Sequence, residues 1–244
     1  MSIKLDNLSF FYEDKKILND LSFYSDSKIL GLLGPNGSGK TTLVKLISGL
    51  LKYKSGDIYI NDMNMNILST KELAKIIAFV SQDYEPTYGF NVQEIIEMGR
   101  YPYLGRLGFI NKKDKIIINE VIDLLSLNDL IKINVDDLSS GEKQKVRFAR
   151  ALVQQPKYLI LDEPTSNLDL SNKILVIDVL KKISSFGTKI VLTSHDLSFI
   201  KESSDECILI KNGTILTFGE TKKLINKDNI EKLYNLSQIP EWAY

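Results

Sequence analysis

Residues 34–41 are Gly-Pro-Asn-Gly-Ser-Gly-Lys-Thr and match the phosphate-loop pattern G-x-x-x-x-G-K-[ST]. A compact apolar run at 28–33 precedes the loop, and a helical pattern follows at 43–48. The glycines allow backbone N–H groups to surround phosphate oxygens, and a helix N-terminus adds positive potential. We expect Lys40 to reach the β and γ phosphates of a nucleotide and the Thr41 hydroxyl to ligate Mg²⁺. The expected contacts are Gly34, Pro35, Asn36, Gly37, Ser38, Gly39, Lys40, Thr41 and Thr42.

A second motif is an apolar run that ends in two acids. Residues 158–161 are Tyr-Leu-Ile-Leu, and Asp162 and Glu163 follow directly. An acid at the carboxyl end of such a strand holds Mg²⁺ in phosphate-loop proteins, and a second acid can polarise an attacking water as a general base. Two solvated acids at a strand end are the alternative. The phosphate loop upstream favours the catalytic interpretation, because the two motifs then share one mechanism.

Composition limits the class of protein. The 244 residues carry 31 basic and 31 acidic side chains, so the basic excess of a typical nucleic-acid binder is absent. The single cysteine, Cys207, lies in an apolar run, which predicts a buried thiol and favours a reducing compartment. No run reaches the ~18 apolar residues of a membrane helix, and residues 1–6 lack the apolar core of a signal peptide. Any membrane work would depend on a partner.

The alternation of short apolar runs with amphipathic segments predicts an α/β fold with a mostly parallel sheet. Rough alternation at the N-terminus predicts a half-exposed antiparallel strand, and Asn212-Gly213 predicts a hairpin turn. Buried strands are predicted at 28–33, 76–80, 157–161, 189–193 and 207–210.

The middle of the chain has helical rather than strand periods. We predict a helix that begins around Ile95, Ile96 and Met98, a second at 116–127 and a third at 140–155. A helical subdomain at about 87–155 would then interrupt a core at about 1–86 and 156–244, within a single domain spanning 1–244.

The third predicted helix begins with Leu-Ser-Ser-Gly-Glu at 138–142. Ser139 and Glu142 form a possible capping box, so a simple helix start is one interpretation. The segment also resembles the Leu-Ser-Gly-Gly-Gln signature of the ATP-binding-cassette (ABC) ATPases. It departs from that signature at Ser140 and Glu142 and retains Ser139 and Gly141. The resemblance covers nearly the whole chain.

Other family motifs follow in order. Tyr12 matches the aromatic residue that stacks on adenine, and Gln82 matches the Q-loop glutamine, which also contacts the metal. Residues 166–169, Ser-Asn-Leu-Asp, match the D-loop. His195 is the chain's one histidine, and a lone histidine is more often structural. Its place after a predicted strand matches the family's switch histidine.

The resemblance implies a phosphate-loop NTPase (RecA-like) core with an antiparallel β patch and an inserted α-helical subdomain. It also implies active sites shared head to tail between two copies of the chain. One copy supplies the phosphate loop with Asp162, Glu163, Gln82 and His195. The other supplies Ser139, Gly141 and Asp169. The implied ligands are ATP and Mg²⁺, with Thr41, Gln82 and Asp162 at the metal.

The implied partners are a second copy in an ATP-driven homodimer, a polytopic membrane permease and, indirectly, a substrate-binding protein, with no nucleic acid. The implied location is peripheral, at the cytoplasmic face of the cell membrane. Residues 99–106, Gly-Arg-Tyr-Pro-Tyr-Leu-Gly-Arg, resemble cassettes of importers for iron-siderophores, haem and cobalamin. Transport of another substrate, in either direction, is the alternative.

Two further alternatives belong to other classes. ABC proteins that act on nucleic acid or ribosomes usually carry a coiled-coil insert or a second cassette, and this chain has neither. A module that binds ATP without hydrolysing it would not need Lys40, Asp162, Glu163 and His195 together. The segment from Gln82 to Gly105 is rich in rings, and we predict that Tyr88 and Tyr103 form an exposed permease-docking surface. Its aromatic and proline residues are Tyr84, Pro86, Tyr88, Phe90, Tyr101, Pro102 and Tyr103.

Overall fold

The computed structural model describes residues 1–82, 89–105, 108–166 and 168–237. Within these ranges the chain forms two sheets and a set of helices. The strands are β1 (Ile3–Tyr12), β2 (Lys15–Ser25), β3 (Ile29–Leu33), β4 (Ser55–Ile60), β5 (Met63–Asn64), β6 (Ile77–Val80), β7 (Tyr158–Leu161), β8 (Lys189–Ser194), β9 (Glu206–Lys211) and β10 (Thr214–Glu220). The helices are α1 (Lys40–Ile47), α2 (Thr70–Ile76), α3 (Val92–Met98), α4 (Lys112–Leu124), α5 (Ser140–Leu152), α6 (Leu170–Ser185), α7 (Leu197–Ser203), α8 (Thr221–Leu224) and α9 (Lys227–Tyr234).

The larger sheet has the order β10-β9-β3-β8-β7-β6, and all neighbours except β10 and β9 are parallel. Every residue of β3, β7 and β8 is buried, as parallel strands covered on both faces require. The predicted hairpin turn is confirmed, since Asn212 and Gly213 have φ of 49° and 75° between β9 and β10. Cys207 is fully buried in β9, as predicted.

The smaller sheet is antiparallel, in the order β2-β1-β4-β5, and β1 alternates buried and exposed residues as the sequence predicts. A buried lysine connects the two sheets. The Lys189 ammonium donates to the carbonyl oxygen of Ser25 at 2.8 Å and to that of Met1 at 3.4 Å. Burial lowers the pKa of Lys189 to about 8. The main sheet therefore holds the end of β2 through backbone carbonyls.

The helical insert contains α3, α4 and α5, and its helix bounds differ from the prediction. Helix α3 ends rather than begins near Met98, and α4 covers Lys112–Leu124 rather than 116–127. The cause is capping, because Asn91 and Asn111 each form a capping box upstream of the apolar residues that suggested the helices. Helix α5 ends at Leu152 rather than at residue 155.

The segment after α3 packs the insert onto the core. Arg100 is buried, and its guanidinium contacts the buried Asp114 carboxylate at 2.8 Å and donates to Val153 O at 2.6 Å. The Tyr103 ring lies 4.1 Å from the Arg100 guanidinium carbon, and its hydroxyl donates to Gln154 O at 2.9 Å.

Tyr103 is half-buried and packs against Arg100, so the prediction of an exposed ring is wrong, whereas its part in permease docking stays a prediction. Tyr84, Pro86 and Tyr88 lie outside the described residues, whereas Tyr101 is 78% exposed. None of the helices in the described part of the chain has the length and apolar character that a bilayer crossing requires.

Candidate functional site

The phosphate loop connects β3 to α1 at the carboxyl edge of the parallel strands. Gly39 caps α1 in a left-handed conformation with φ of 102°. A Cβ added at Gly34 would overlap the carbonyl oxygen of Ile210 and lie 2.7 Å from the Ser38 hydroxyl, so only glycine fits there. The loop borders an open cavity of about 350 Å³. The cavity is lined by Lys15, Ile17, Asn36, Gly37, Ser38, Gly39, Lys40, Thr41, Thr42, Gln82, Glu163 and His195.

Two polar groups in this loop indicate that an anion fits. The Ser38 hydroxyl is buried and has no hydrogen-bond partner among the described residues. The Lys40 ammonium is 6% exposed, donates to Gly34 O at 2.7 Å and lies 3.6 Å from a Glu163 carboxylate oxygen. Burial lowers the pKa of Lys40 against the opposing effect of the Glu163 and Asp162 carboxylates. A phosphate would give the hydroxyl a partner and stabilise the buried cation.

The Asp162 carboxylate lies at the end of β7, behind the loop. Its Oδ1 accepts from the Thr41 hydroxyl at 3.1 Å and from the Thr193 hydroxyl at 2.7 Å. Carboxylate and hydroxyl oxygens are ligands that Mg²⁺ accepts, so these residues fit the ion. The described residues contain no group of three or more His, Cys, Asp or Glu that could hold a metal. Phosphate oxygens and water would therefore have to complete the coordination.

Glu163 is fixed from several directions. Its N–H donates to the Thr193 hydroxyl at 2.9 Å, and its Oε2 lies 2.9 Å from Nδ1 of His195. The side chain is 7% exposed, and the backbone has φ of 49°, which is uncommon for a residue other than glycine. Such backbone strain persists where surrounding contacts enforce it. A carboxylate held this way, beside the phosphate loop, can accept a proton from water.

His195 follows β8, and its side chain is 55% exposed at the cavity. Gln82 follows β6 and lines both this cavity and a neighbouring one of about 470 Å³. The structure thus brings Lys40, Glu163, Gln82 and His195 to one place. They come from four separate segments that meet where parallel strands end.

Other predicted residues lie elsewhere. Ser139 is exposed at the start of α5, where its hydroxyl accepts from the Glu142 N–H at 3.3 Å and contacts the Glu142 carboxylate at 2.6 Å. This confirms the predicted capping box. Gly141 lies within this capping box, and an added Cβ there would overlap Asn172. Asp169 caps α6 by accepting from the Asn172 N–H at 2.8 Å. Ser139, Gly141 and Asp169 do not line the cavity of the phosphate loop.

Tyr12 ends β1 opposite Lys15, which lines the cavity, but Tyr12 is not among the lining residues. Its ring contacts Phe10 edge to face at 4.9 Å. Asn167 of the predicted D-loop lies outside the described residues. Sequence reasoning missed Thr193, whose hydroxyl joins Asp162 to the Glu163 backbone. A hydroxyl at the end of a buried strand, two residues before His195, was the available signal.

Comparisons with known proteins identify relatives along almost the whole chain. The ABC transporter family model matches residues 18–166. An uncharacterized ABC transporter ATP-binding protein of Methanocaldococcus jannaschii is 37% identical over 243 residues, 99% of this chain and 94% of the relative. The petrobactin import ATP-binding protein of Bacillus subtilis is 31% identical over 237 residues, 96% of this chain and 93% of the relative.

A solved structure agrees with these relatives. A metal-chelate type ABC transporter in an inward-facing conformation has a TM-score of 0.84 at 28% identity, covering 96% of this chain and 88% of that one. The family match spans more than half of the chain and includes the phosphate loop and the Asp162-Glu163 pair. The chain therefore belongs to the ABC transporter family as an ATP-binding subunit, of the kind that hydrolyses ATP to power transport.

Proposed function

We propose that two copies of this chain close head to tail around ATP and drive a permease that imports an iron chelate. The dimer proposal rests on one observation: the predicted site residues form two separate groups on the chain. Lys40, Glu163 and His195 share a cavity, whereas Ser139 and Asp169 are exposed away from it. A second copy would bring a serine hydroxyl and a helix N-terminus to the phosphates, and both suit an anion.

Each copy's own residues have distinct proposed roles. Lys40 and Ser38 bind the phosphates, and Tyr12 stacks on adenine. Thr41, Gln82 and Asp162 would hold Mg²⁺, which would neutralise charge on the phosphate oxygens. Glu163 accepts the proton of the attacking water, and His195 orients the Glu163 carboxylate through the 2.9 Å contact. Closure would exclude water from these groups and strengthen their electrostatic interactions.

A groove between the core and the insert supports the proposed permease contact. It has a volume of about 610 Å³. Its apolar residues include Phe79, Ile95, Met98, Tyr101 and Val146, and its basic residues include Lys45 and Arg150. A groove lined by both apolar and basic residues suits an amphipathic helix laid in by a partner. Docking there would place the chain peripherally, on the cytoplasmic face of the membrane.

The proposed cargo depends on the relatives. The Bacillus subtilis relative is a petrobactin import protein, and the solved relative is of the metal-chelate type. The resemblance of residues 99–106 to the cassettes of iron-siderophore importers supports the same cargo. Within the described part of this segment, residues 99–105, Arg100 and Tyr103 pack the insert onto the core. We propose that the segment is related to the cargo only indirectly, because it shapes the groove that would receive the permease.

Transport by the assembled complex tests the cargo. We expect a polytopic protein to co-purify with the chain and, in liposomes with its binding protein, to take up a ferric siderophore only when ATP is on the cassette side. Uptake of haem or cobalamin in place of the siderophore would change the proposed cargo and leave the import proposal in place. Failure of any membrane protein to co-purify, with ATPase activity intact, would contradict the transport role and favour a non-transport ABC ATPase.

Mixing two inactive variants tests the shared site. Ser139→Arg should bind ATP as a monomer but fail to dimerise, because the larger side chain would occupy the space of the partner's γ-phosphate. Lys40→Ala should fail because it removes a phosphate-binding cation. In a mixed dimer, one site carries both changes and the other carries neither. We expect ATPase activity to reappear in the mixture, measured as phosphate release.

A cross-link separates the alternatives if no activity returns. Ser38→Cys and Ser139→Cys in one chain should form a disulfide between two copies when ATP is present. Cross-linking without recovered activity would mean that both sites must work together. Absence of the cross-link would contradict the head-to-tail dimer. Ser185→Cys, on the exposed end of α6, replaces Ser139→Cys in the control.

A further inference from the structure

The loop that carries His195 is held mainly through the next residue. The His195 ring is 55% exposed, and within the described part of the chain its polar partner is Glu163, whose Oε2 lies 2.9 Å from Nδ1. Asp196, in contrast, is fixed on two sides. Its Oδ1 accepts from the Phe199 N–H at 3.1 Å at the start of α7, and its Oδ2 accepts from the Lys173 ammonium at 2.6 Å. The Tyr234 hydroxyl donates to the His195 carbonyl oxygen at the long distance of 3.4 Å, so the position of His195 depends mainly on what holds Asp196.

The charge of Asp196 is maintained by these bonds. Burial alone would raise the pKa of Asp196, but the Lys173 hydrogen bond and the Phe199 amide outweigh burial and lower it. The carboxylate is therefore ionised at neutral pH. A charge-assisted bond of 2.6 Å between Lys173 and this carboxylate restricts the loop more than a neutral contact would.

Lys173 belongs to the first turn of α6, and this turn also contacts the start of α5. The Lys173 N–H donates to Asp169 O at 3.0 Å, and the neighbouring Asn172 side chain fills the space beside Gly141. The same turn thus touches both the start of α5 and the His195 loop. Because Asn172 and Lys173 lie on the same turn of α6, a shift of that turn would reach both contacts.

We propose that Lys173 is a positioning residue for His195, and that it transmits movement at Gly141 and Asp169 to the Glu163–His195 pair of the same chain. This proposal rests on the proposed roles of Glu163 and His195. The simpler interpretation is a surface ion pair, since the two side chains are 32% and 26% exposed. Such pairs add little stability. The two interpretations differ in whether the loss of Lys173 affects turnover or only unfolding.

The test is Lys173→Met, compared with Lys173→Arg and with Lys181→Met, an exposed lysine on the same helix. We expect Lys173→Met to lower kcat by about 10- to 100-fold, the cost of a misplaced catalytic group, with KM for ATP and melting temperature nearly unchanged. Lys173→Arg should restore most of kcat, because arginine keeps the cation within reach of Asp196. Lys181→Met should match the parent chain. Unchanged kcat in Lys173→Met would overturn the proposal.

A double-variant cycle separates positioning from other effects. In a His195→Ala background, Lys173→Met should cause no further loss of kcat, because the residue that it positions is absent. An equal loss in both backgrounds would show that Lys173 acts through another group and would reject the proposal. If His195→Ala alone keeps full activity, the proposed role of His195 fails instead. The two failures are therefore distinguishable.

Discussion

Glu163→Gln is expected to retain ATP binding and to lose about 10²- to 10⁴-fold in the rate of hydrolysis, the usual effect of removing a general base. The amide preserves the size of the side chain and leaves Asp162 unchanged, but it cannot accept the proton of water. It also removes the negative charge that lies 3.6 Å from Lys40, so the cation becomes more available to phosphate. ATP should then hold the closed dimer, and sizing chromatography should show its accumulation.

Glu120→Gln, an exposed change on α4, is the control and should hydrolyse ATP at the parent rate. Single-turnover measurement separates slow chemistry from slow product release. Parental turnover in Glu163→Gln would reject the assignment of the base. Loss of ATP binding would instead mean that the Glu163 charge holds Lys40 and the loop in shape.

Arg100→Met should have the largest effect on stability, lowering the free energy of unfolding by roughly 3–5 kcal/mol. The change leaves Asp114, which is 2% exposed, with one backbone N–H at 3.2 Å as its remaining side-chain bond among the described contacts. An unpaired buried charge is costly. At about 2–4 °C per kcal/mol for a chain of this size, the melting temperature should fall by about 10 °C.

A paired change tests the cause of that loss. Arg100→Met with Asp114→Asn removes the buried charge and should recover part of the lost stability, measured by urea unfolding. Lys113 is an exposed cation on α4, the helix that carries Asp114, and Lys113→Met should change the free energy of unfolding by less than about 0.5 kcal/mol. If the double variant is no more stable than Arg100→Met, the loss comes from the packing of Tyr103 and Val153 rather than from the charge.

The sequence predicted those parts of the site that depend on short segments. The phosphate loop, the acids after β7 and the capping box at Ser139 are local patterns, because strand ends and helix starts impose particular residue types on a few consecutive positions. The hairpin at Asn212-Gly213 is local for the same reason. In each case the structure agrees with the pattern.

Contacts between distant segments were not predictable in this way. Arg100 was interpreted as part of a cargo motif, yet its partners are Asp114 and Val153, fourteen and fifty-three positions away. The Lys173–Asp196 pair spans twenty-three positions and follows no period. Helix α6 was not predicted at all. Its apolar residues lie on more than one face, since Leu170 and Ile174 are exposed while Val176 and Leu180 are buried, so its amphipathic period is weak.

The Ser139 hydroxyl already has a hydrogen-bond partner within its own chain, the Glu142 carboxylate. The hydroxyl is bonded to the Glu142 carboxylate at 2.6 Å, and in the proposed dimer it must leave that bond to donate to the partner's phosphate. The carboxylate would also approach the phosphate with the same sign of charge. In the proposed dimer, the Glu142 carboxylate would therefore compete with the partner's phosphate for the Ser139 hydroxyl. A neutral amide at residue 142 would weaken this competition. A diphosphate would offer the hydroxyl no γ-phosphate oxygen in exchange, so in the proposed dimer the bond to Glu142 would persist until a triphosphate is bound.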